Sequence, residues 1–305
     1  MPKTIFEVTK DFLNTAKNPL IVITGPTCSG KTNASLSLAQ KINGEIINAD
    51  SRQIFKGLDI ITAKIKPEET QNIPHHLFSI IDPNQEFNVT QWKKAAEKKA
   101  QEILQKNKIP ILCGGTGLFI NAIVKNFQPP SIAPQKEFRQ KMEKLSNEQL
   151  WQKLKSKELK TTLHPNNRRY LIRRLEIINF SKNNHTPLQG KEKFKSLIFA
   201  SAVNRQKLYK NINQRVEEMF KMGCLQEIKS LLKKGFKRND PGMFSHGVPE
   251  TLDFLENKIS YQELISKMQQ NTRNYAKRQL TWWRRNPRVI WFKVNDFSIS
   301  DKSEF

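Results

Sequence analysis

The chain has 305 residues, long enough for one or two domains with a buried core, and no run approaches the roughly 18 apolar residues of a membrane span. Its three cysteines are scattered without a C-x-x-C pair, which argues against a disulfide framework and a structural zinc site. The formal net charge is +24, from 52 Lys and Arg against 28 Asp and Glu, which favours a nucleic-acid partner over a membrane surface. A bias toward Lys, Asn and Ile codons would explain many of the lysines, but not the clustered arginines. Because the first residues contain no apolar signal core, we expect a cytoplasmic protein.

Strands and helices are predicted to alternate through the first half of the chain. Short apolar runs rich in β-branched residues predict strands at 20–24, 45–49, 109–113, 196–202 and 289–294. Helices are predicted at 33–40, 90–106 and 205–234. The alternation indicates an α/β fold with a P-loop NTPase-like parallel sheet core, whose ligands bind at the carboxyl ends of the strands.

The composition changes between about Pro129 and Lys195. The segment opens with Pro129-Pro130 and then reads as two or three charged helices without a strand candidate. We therefore expect a helical insertion domain at 131–195. The catalytic core would then consist of residues 1–130 and 196–305 and would end in a long basic helix and a last strand.

The first strand runs into GPTCSGKT, which is a P-loop with a strand before it and a helix after it. Its residues are Gly25, Pro26, Thr27, Cys28, Ser29, Gly30, Lys31 and Thr32. Backbone N–H groups and the helix N-terminus would hold an anion, Lys31 would add a point charge, and the Thr32 hydroxyl is the usual ligand of a Mg²⁺ ion carried on the phosphates. Any small molecule that carries a diphosphate would fit this loop, so the motif alone does not identify the ligand.

Two further turns are predicted at the same edge of the sheet. Asp50 closes the second strand and would bind Mg²⁺ in an NTPase, but the Ser51-Arg52-Gln53 that follows suits a second substrate better. A simple turn aspartate is the alternative for Asp50. The turn Gly114-Gly115-Thr116-Gly117 leads from a buried strand into a helix and is a second anion-binding candidate. No N-K-x-D motif occurs, which argues against a GTPase.

Six segments in order resemble the tRNA dimethylallyltransferases. They are GPTCSGKT, NADSRQIFKGLDIITAK, PHHLFSIIDP, PILCGGTGLFI, RRYLIRRLEI and YAKRQLTWWRR, and the similarity covers about residues 19 to 292. The resemblance implies that the P-loop binds the diphosphate of dimethylallyl diphosphate with Mg²⁺. It also implies that N6 of adenosine 37, beside the anticodon of a tRNA, attacks C1 of the prenyl chain. The protein would be a monomer without a membrane partner.

The resemblance also implies roles for individual residues. Asp50 would accept a hydrogen bond from N6 and take its proton, Thr27 would contact the bridging region of the diphosphate, Arg215 would neutralise the leaving group, and Thr116 would contact the adenosine. The residues expected to bind the tRNA anticodon stem-loop, some of them in the insertion, are Asp50, Ser51, Arg52, Gln53, Thr116, Arg169, Arg173, Arg273, Lys277, Arg278 and Gln279. Basic residues interleaved with Tyr275, Trp282 and Trp283 suit phosphate contacts and base stacking, although core packing is the stronger expectation for the two tryptophans.

Three positions depart from the family pattern. Ile61 stands where glycine is common, Ser79 replaces an aspartate, and His246-Gly247-Val248-Pro249-Glu250 replaces I-G-Y-[KR]-[QE]. Pro249 is expected to strain or end a helix at that point. These departures leave a tRNA-binding relative with weakened catalysis as one alternative to a transferase. The P-loop alone leaves a second, a kinase or NTPase that uses ATP.

Overall fold

The computed structural model describes residues 2–127, 132–159, 161–181 and 190–301. A seven-stranded sheet forms its centre, with the strand order β3-β2-β4-β1-β5-β6-β7. The strands are β1 (Pro19–Thr24), β2 (Gly44–Asn48), β3 (His75–His76), β4 (Ile109–Cys113), β5 (Lys195–Ala202), β6 (Val289–Lys293) and β7 (Ile299–Ser300). The first six are parallel and β7 is antiparallel to β6. The predicted α/β fold with a parallel sheet is confirmed.

Eleven α-helices lie in the described part of the chain. They are α1 (Ile5–Leu13), α2 (Lys31–Ile42), α3 (Val89–Gln105), α4 (Gly117–Val124), α5 (Lys136–Glu143), α6 (Asn147–Lys157), α7 (Arg168–Phe180), α8 (Arg205–Lys221), α9 (Cys224–Lys233), α10 (Val248–Leu255) and α11 (Tyr261–Arg284). Among the described residues, none of these helices has both the length and the apolar character needed to cross a bilayer.

Burial on both faces explains why the central strands are continuously apolar. Leu20, Ile21, Val22 and Ile23 of β1 are fully buried, and odd and even positions pack into different apolar clusters on the two sides of the sheet. A strand covered on both faces has no polar side to present, so its sequence shows a run and not an alternation. Because β1, β2 and β4 are neighbouring parallel strands, their carboxyl ends lie together at one edge of the sheet.

The chain divides into two compact units, residues 1–126 with 192–305 and residues 127–191. The second unit contains α5, α6 and α7, whose buried leucines and isoleucine form a small core of their own. Glu176 is fully buried there and pairs with Arg139 and Arg173. The Pro129-Pro130 pair predicted to open the insertion lies outside the described residues. That residues 131–195 form a separate domain contacting tRNA stays a prediction.

Two sequence predictions about helices are wrong. The helix predicted over 205–234 is two helices, α8 and α9, because Gly223 between them has a φ of 97°, a left-handed conformation that glycine adopts readily. Pro249 does not end a helix, since it lies in the first turn of α10, where backbone N–H groups have no partner within the helix.

Candidate active site

The P-loop joins β1 to α2 and is shaped by close contacts with β5. Gly25 has a φ of 133°, and a Cβ atom there would lie 2.2 Å from Ser201 Oγ. The Ser29 hydroxyl donates to the Pro26 carbonyl at 2.7 Å and is also hydrogen-bonded to the Ser201 hydroxyl. Gly30, with a φ of 82°, is the N-cap of α2. Contacts within the protein therefore hold the loop, with the N-terminus of α2 at its centre.

Lys31 is the charge at the bottom of this loop. Its ammonium group donates to the Pro26 carbonyl. Burial lowers the pKa of Lys31, and the nearby Arg215 lowers it further, while the Asp50 carboxylate raises it. A bound anion would favour the charged form of Lys31, because a neighbouring negative charge raises the pKa of an ammonium group.

The second turn lies directly against the first. Thr24 Oγ1 donates to the Gly114 carbonyl at 2.8 Å, and a Cβ atom on Gly114 would lie 2.3 Å from the carbonyl carbon of Ala49. Thr116 is the N-cap of α4, and its Oγ1 accepts the N–H of Ser51 at 3.0 Å. The ends of β1, β2 and β4 are thus tied together by hydrogen bonds of the Thr24 and Thr116 side chains and by a close approach of Gly114 to Ala49 that a Cβ atom would prevent.

Gln279 of α11 bridges the two turns. Its Oε1 accepts the Thr27 N–H at 2.8 Å, and its Nε2 donates to the Gly115 carbonyl at 3.0 Å. The side chain is buried, and a Cβ atom on Gly115 would lie 1.9 Å from Nε2. One side chain of the basic helix is therefore built into the phosphate-binding loop. The role predicted for Gln279 in binding tRNA stays a prediction.

The turn after β2 presents Asp50 to the same cleft. Asp50 Oδ1 accepts the Arg52 N–H at 2.8 Å, and the Asp50 N–H donates to the Asn48 side chain at 2.9 Å. Gln53 is directed to the neighbouring segment, where its Nε2 donates to the carbonyls of Thr62 and Ala63 at 3.0 and 3.1 Å. Asp50 is therefore held as a turn aspartate and also lines the cleft.

The cleft has a cavity volume of about 170 Å³ and is lined by the end of the P-loop, from Thr27 to Thr32. Lys31, Thr32, Asp50 and Arg215 all line it. The structure thus brings together residues from the P-loop, the turn after β2 and α8 that are far apart in the sequence. Arg215 is exposed on α8 and lines this cleft.

A second, smaller pocket of about 70 Å³ adjoins the cleft and shares Thr27, Asp50 and Arg215 with it. Most of its remaining wall is apolar. The apolar side chains are Ile61, Ala63, Ile212, Val216, Met219 and Met268. The pocket suits a short hydrocarbon chain attached to a group held in the P-loop.

The residues predicted to contact nucleic acid differ in their exposure and in the hydrogen bonds that they make within the protein. Lys277 and Arg278 of α11 are exposed, whereas Arg273 donates to Asn213 Oδ1 at 2.6 Å. In the second unit Arg169 is exposed, and Arg173 is hydrogen-bonded to the buried Glu176. Arg173 therefore has a structural partner, which the sequence analysis did not expect.

The two tryptophans of α11 have different environments. Trp283 is fully buried, as predicted, whereas Trp282 is 40% exposed, which is contrary to the expectation of core packing. A Cβ atom on Gly117 would lie 2.2 Å from Trp282 Nε1. Trp282 is therefore a surface side chain beside the second turn.

The positions that depart from the family pattern are accommodated by their neighbours. Ile61 is buried, and its side chain approaches Gly247 together with that of Met268. Ser79 Oγ accepts a hydrogen bond from Lys64 Nζ at 2.7 Å, so this lysine keeps an oxygen partner there. His246 lies against the Tyr275 ring, with the ring centroids 4.4 Å apart. These residues line the second pocket or support the segment that does.

Sequence reasoning missed three residues that shape the site. Ser201 contacts Gly25 and Ser29 of the P-loop from the end of β5, and its place near the carboxyl end of a predicted strand would have suggested it. Glu227 of α9 accepts the N–H groups of Asp59, Ile60 and Ile61 at 2.7, 2.7 and 2.9 Å, and no sequence signal indicates this. Tyr275 was noticed only as an aromatic among basic residues, but it lines the second pocket.

The parallel sheet, the P-loop and the adjoining cleft define a P-loop protein with a site for a phosphorylated ligand. A family model described as IPP transferase matches residues 53–286. A tRNA dimethylallyltransferase of Thermoanaerobacter sp. (strain X514) is 39% identical over 294 residues, which cover 91% of this chain and 92% of that relative. The chain belongs to the IPP transferase family.

Solved structures agree with this assignment. A crystal structure of the full-length tRNA isopentenylpyrophosphate transferase from Bacillus halodurans is 36% identical, with a TM-score of 0.71, and the match covers 91% of this chain and 90% of that one. Crystallographic snapshots of a eukaryotic dimethylallyltransferase acting on tRNA match with 27% identity and a TM-score of 0.75, covering 94% of this chain and 75% of that one.

Proposed function

We propose that the protein transfers a dimethylallyl group from dimethylallyl diphosphate to N6 of adenosine 37, next to the anticodon of tRNAs, and releases diphosphate. The observation that carries this proposal is the pairing of two spaces at one edge of the sheet. One is the P-loop cleft with Lys31, and the other is the apolar pocket that shares Asp50 with it. A diphosphate joined to a five-carbon chain fits such a pair, and the names of the relatives agree with it.

On the donor side, the cleft offers positive charge where the leaving group forms. Lys31, the loop N–H groups and Arg215 would neutralise the diphosphate as the bond from C1 to oxygen breaks. The Thr32 hydroxyl lines the same cleft and would hold a Mg²⁺ ion bound to the phosphates. The ion would supply further neutralisation of the leaving group. Its donors would be oxygen atoms, which are the ligands that Mg²⁺ prefers.

On the acceptor side, Asp50 is the proposed partner of the exocyclic amine. The lone pair of N6 forms the new bond to C1, and the bonding electrons of C1 leave with the diphosphate. N6 then carries one proton too many, which passes to the Asp50 carboxylate. An exocyclic amine is a weak nucleophile, so a fixed orientation and a placed base both accelerate this step.

The target base has to leave the anticodon stack to reach the cleft. Lys277 and Arg278 are exposed on α11, which also enters the site through Gln279. We propose that they contact backbone phosphates beside the flipped base. In the second unit, the exposed Arg169 is the proposed contact.

The test is incubation of the purified protein with Mg²⁺, dimethylallyl diphosphate and an unmodified anticodon stem-loop with an A36-A37-A38 run, read by mass. The expected result is the gain of one dimethylallyl group on adenosine 37. A stem-loop with guanosine at position 37 is the matched control and should gain nothing. Salt-sensitive RNA binding without transfer would favour a binding-only relative, and ATP turnover without transfer would indicate a kinase or NTPase.

A further inference from the structure

The second pocket has a polar side as well as an apolar one. Asp50, Arg52, His246 and Tyr275 lie together on its wall. The hydrocarbon chain of the proposed donor needs none of them. A purine base does need such groups, because its ring nitrogens are acceptors that cost free energy when they are buried without a donor.

The donors on this side are not equally available. The Arg52 guanidinium already donates to the Pro241 carbonyl at 3.4 Å. The Tyr275 hydroxyl interacts with the Thr116 side chain. Within the described part of the chain, no hydrogen bond is found for the ring of His246, whose contact is the Tyr275 ring at a centroid distance of 4.4 Å and an angle of 40°. Of the side chains of Arg52, Tyr275 and His246, that of His246 therefore has a ring nitrogen that can hydrogen-bond to a ligand.

The surroundings of His246 favour the neutral form of its ring. Burial lowers its pKa, and the positive charges of Arg52 and Arg278 lower it further, while the carboxylates of Asp50 and Glu250 oppose them. A neutral imidazole carries one N–H donor. Its orientation is restricted by the Tyr275 ring that packs against it.

We propose that His246 recognises the acceptor base, with its ring N–H donating to N1 or to N7, the adenine ring nitrogens on either side of the exocyclic amine. This inference rests on the proposed function, since Asp50 is taken as the partner of N6 itself. Asp50 and His246 would then read adjacent positions of one base. His246 is thus a specificity-determining residue of the transfer reaction.

The experiment removes the two partners of this hydrogen bond separately and together. The full-length protein and the variants His246→Ile and His246→Gln are assayed with stem-loops carrying adenosine, 1-deazaadenosine or 7-deazaadenosine at position 37. The readout is kcat/KM for the RNA, with the affinity for inorganic diphosphate as the control for an intact P-loop. His246→Gln retains an N–H donor, whereas His246→Ile has the residue of the family pattern and no donor.

The unsubstituted protein is expected to lose about three- to tenfold in kcat/KM with one of the two analogues, the range of a single hydrogen bond. His246→Ile should lose about as much with adenosine and nothing further with that analogue, and His246→Gln should retain most of the rate. If the loss caused by His246→Ile multiplies with the loss caused by the base analogue for both analogues, the proposal is overturned. Full activity of His246→Ile on adenosine would also overturn it. Should His246→Ile fail to fold, His246→Ala carries the test. If this variant no longer discriminates the sensitive analogue from adenosine while it binds diphosphate normally, the proposal holds, and if its loss with that analogue equals that of the unsubstituted protein, the proposal is overturned. If the unsubstituted protein does not modify the adenosine stem-loop at all, the proposed function itself is wrong.

Discussion

Asp50 illustrates how a single side chain can serve the fold and the chemistry at once. One carboxylate oxygen accepts the Arg52 N–H, which fixes the turn, and the residue also lines the cleft beside Lys31. Asp50→Asn should keep the turn, because an amide oxygen can accept the same hydrogen bond. It should lower the rate of transfer about 10²- to 10⁴-fold, the usual contribution of a positioned proton acceptor.

The measurement for Asp50→Asn is the single-turnover rate together with the dissociation constant of the stem-loop. RNA affinity is expected to change little. Asn48, which also holds the turn, allows a matched control, since Asn48→Ala disturbs the turn without removing the carboxylate. A variant Asp50→Asn with an unchanged rate would contradict the assignment of Asp50 as the proton acceptor.

At the scale of elements, α9 supports the segment that lines both spaces of the site. The carboxylate of Glu227 accepts the consecutive N–H groups of Asp59, Ile60 and Ile61, and the next residues, Thr62 and Ala63, lie in the cleft. Glu227→Ala leaves these N–H groups without their acceptor. We expect the free energy of unfolding to fall by about 2 kcal/mol, measured by urea denaturation.

The control for Glu227→Ala is Glu217→Ala on α8, where the glutamate is exposed. A surface change of this kind should stay within about 0.5 kcal/mol. Equal stability of the two variants would show that the three N–H groups find other partners.

The helix α7 of the second unit depends on a buried carboxylate. Burial acts to raise the pKa of Glu176, but Arg139, the N–H of Gln135 and Arg173 outweigh it and hold the pKa at about 2, below the ordinary 4.5. A lowered carboxyl pKa stabilises the fold above pH 4.5, and this contribution is lost as the pH falls from about 4.5 to about 2.

Urea denaturation between pH 5 and pH 3 tests this prediction. The unsubstituted protein should lose stability more steeply than Glu176→Gln, which has no carboxylate to protonate at that position. Glu137→Gln, at an exposed position of α5, is the control and should follow the unsubstituted protein. Parallel pH curves for all three would rule out a role of Glu176 in acid stability.

Strands that are covered on both faces could be predicted from the sequence, because burial on both faces requires a continuous run of apolar residues. The predicted strand at 109–113 coincides with β4. The break between α8 and α9 was missed, since a lone glycine within a helical pattern does not reveal its φ angle. The P-loop and Asp50 could be located by motif. Glu227 was missed, and Gln279 was expected only as a tRNA contact, because the contacts that these two side chains make join positions more than 160 residues apart.

For the whole molecule, the net charge of +24 has a measurable consequence. Binding of a stem-loop should weaken steeply with salt, because each neutralised phosphate releases counterions. For about four phosphate contacts we expect roughly a hundredfold loss of affinity between 50 and 200 mM salt. Fluorescence anisotropy with a labelled stem-loop measures this slope.

The matched variants for the salt experiment are Lys277→Gln and Lys98→Gln. Lys277 is exposed on α11, and Lys98 is exposed on α3. Lys277→Gln should reduce the magnitude of the slope by about one phosphate's share, and Lys98→Gln should leave it unchanged. Equal effects of the two variants would mean that the bound RNA senses only the overall charge and not α11.

The bridge made by Gln279 has an implication for how the two substrates communicate. The same helix carries exposed cations for the RNA and a side chain that grips the Thr27 N–H and the Gly115 carbonyl. A displacement of α11 by RNA would therefore be transmitted to the P-loop through the side-chain amide of Gln279. Thermodynamic reciprocity then requires that the diphosphate ligand alter RNA affinity by the same factor by which RNA alters the affinity for the diphosphate.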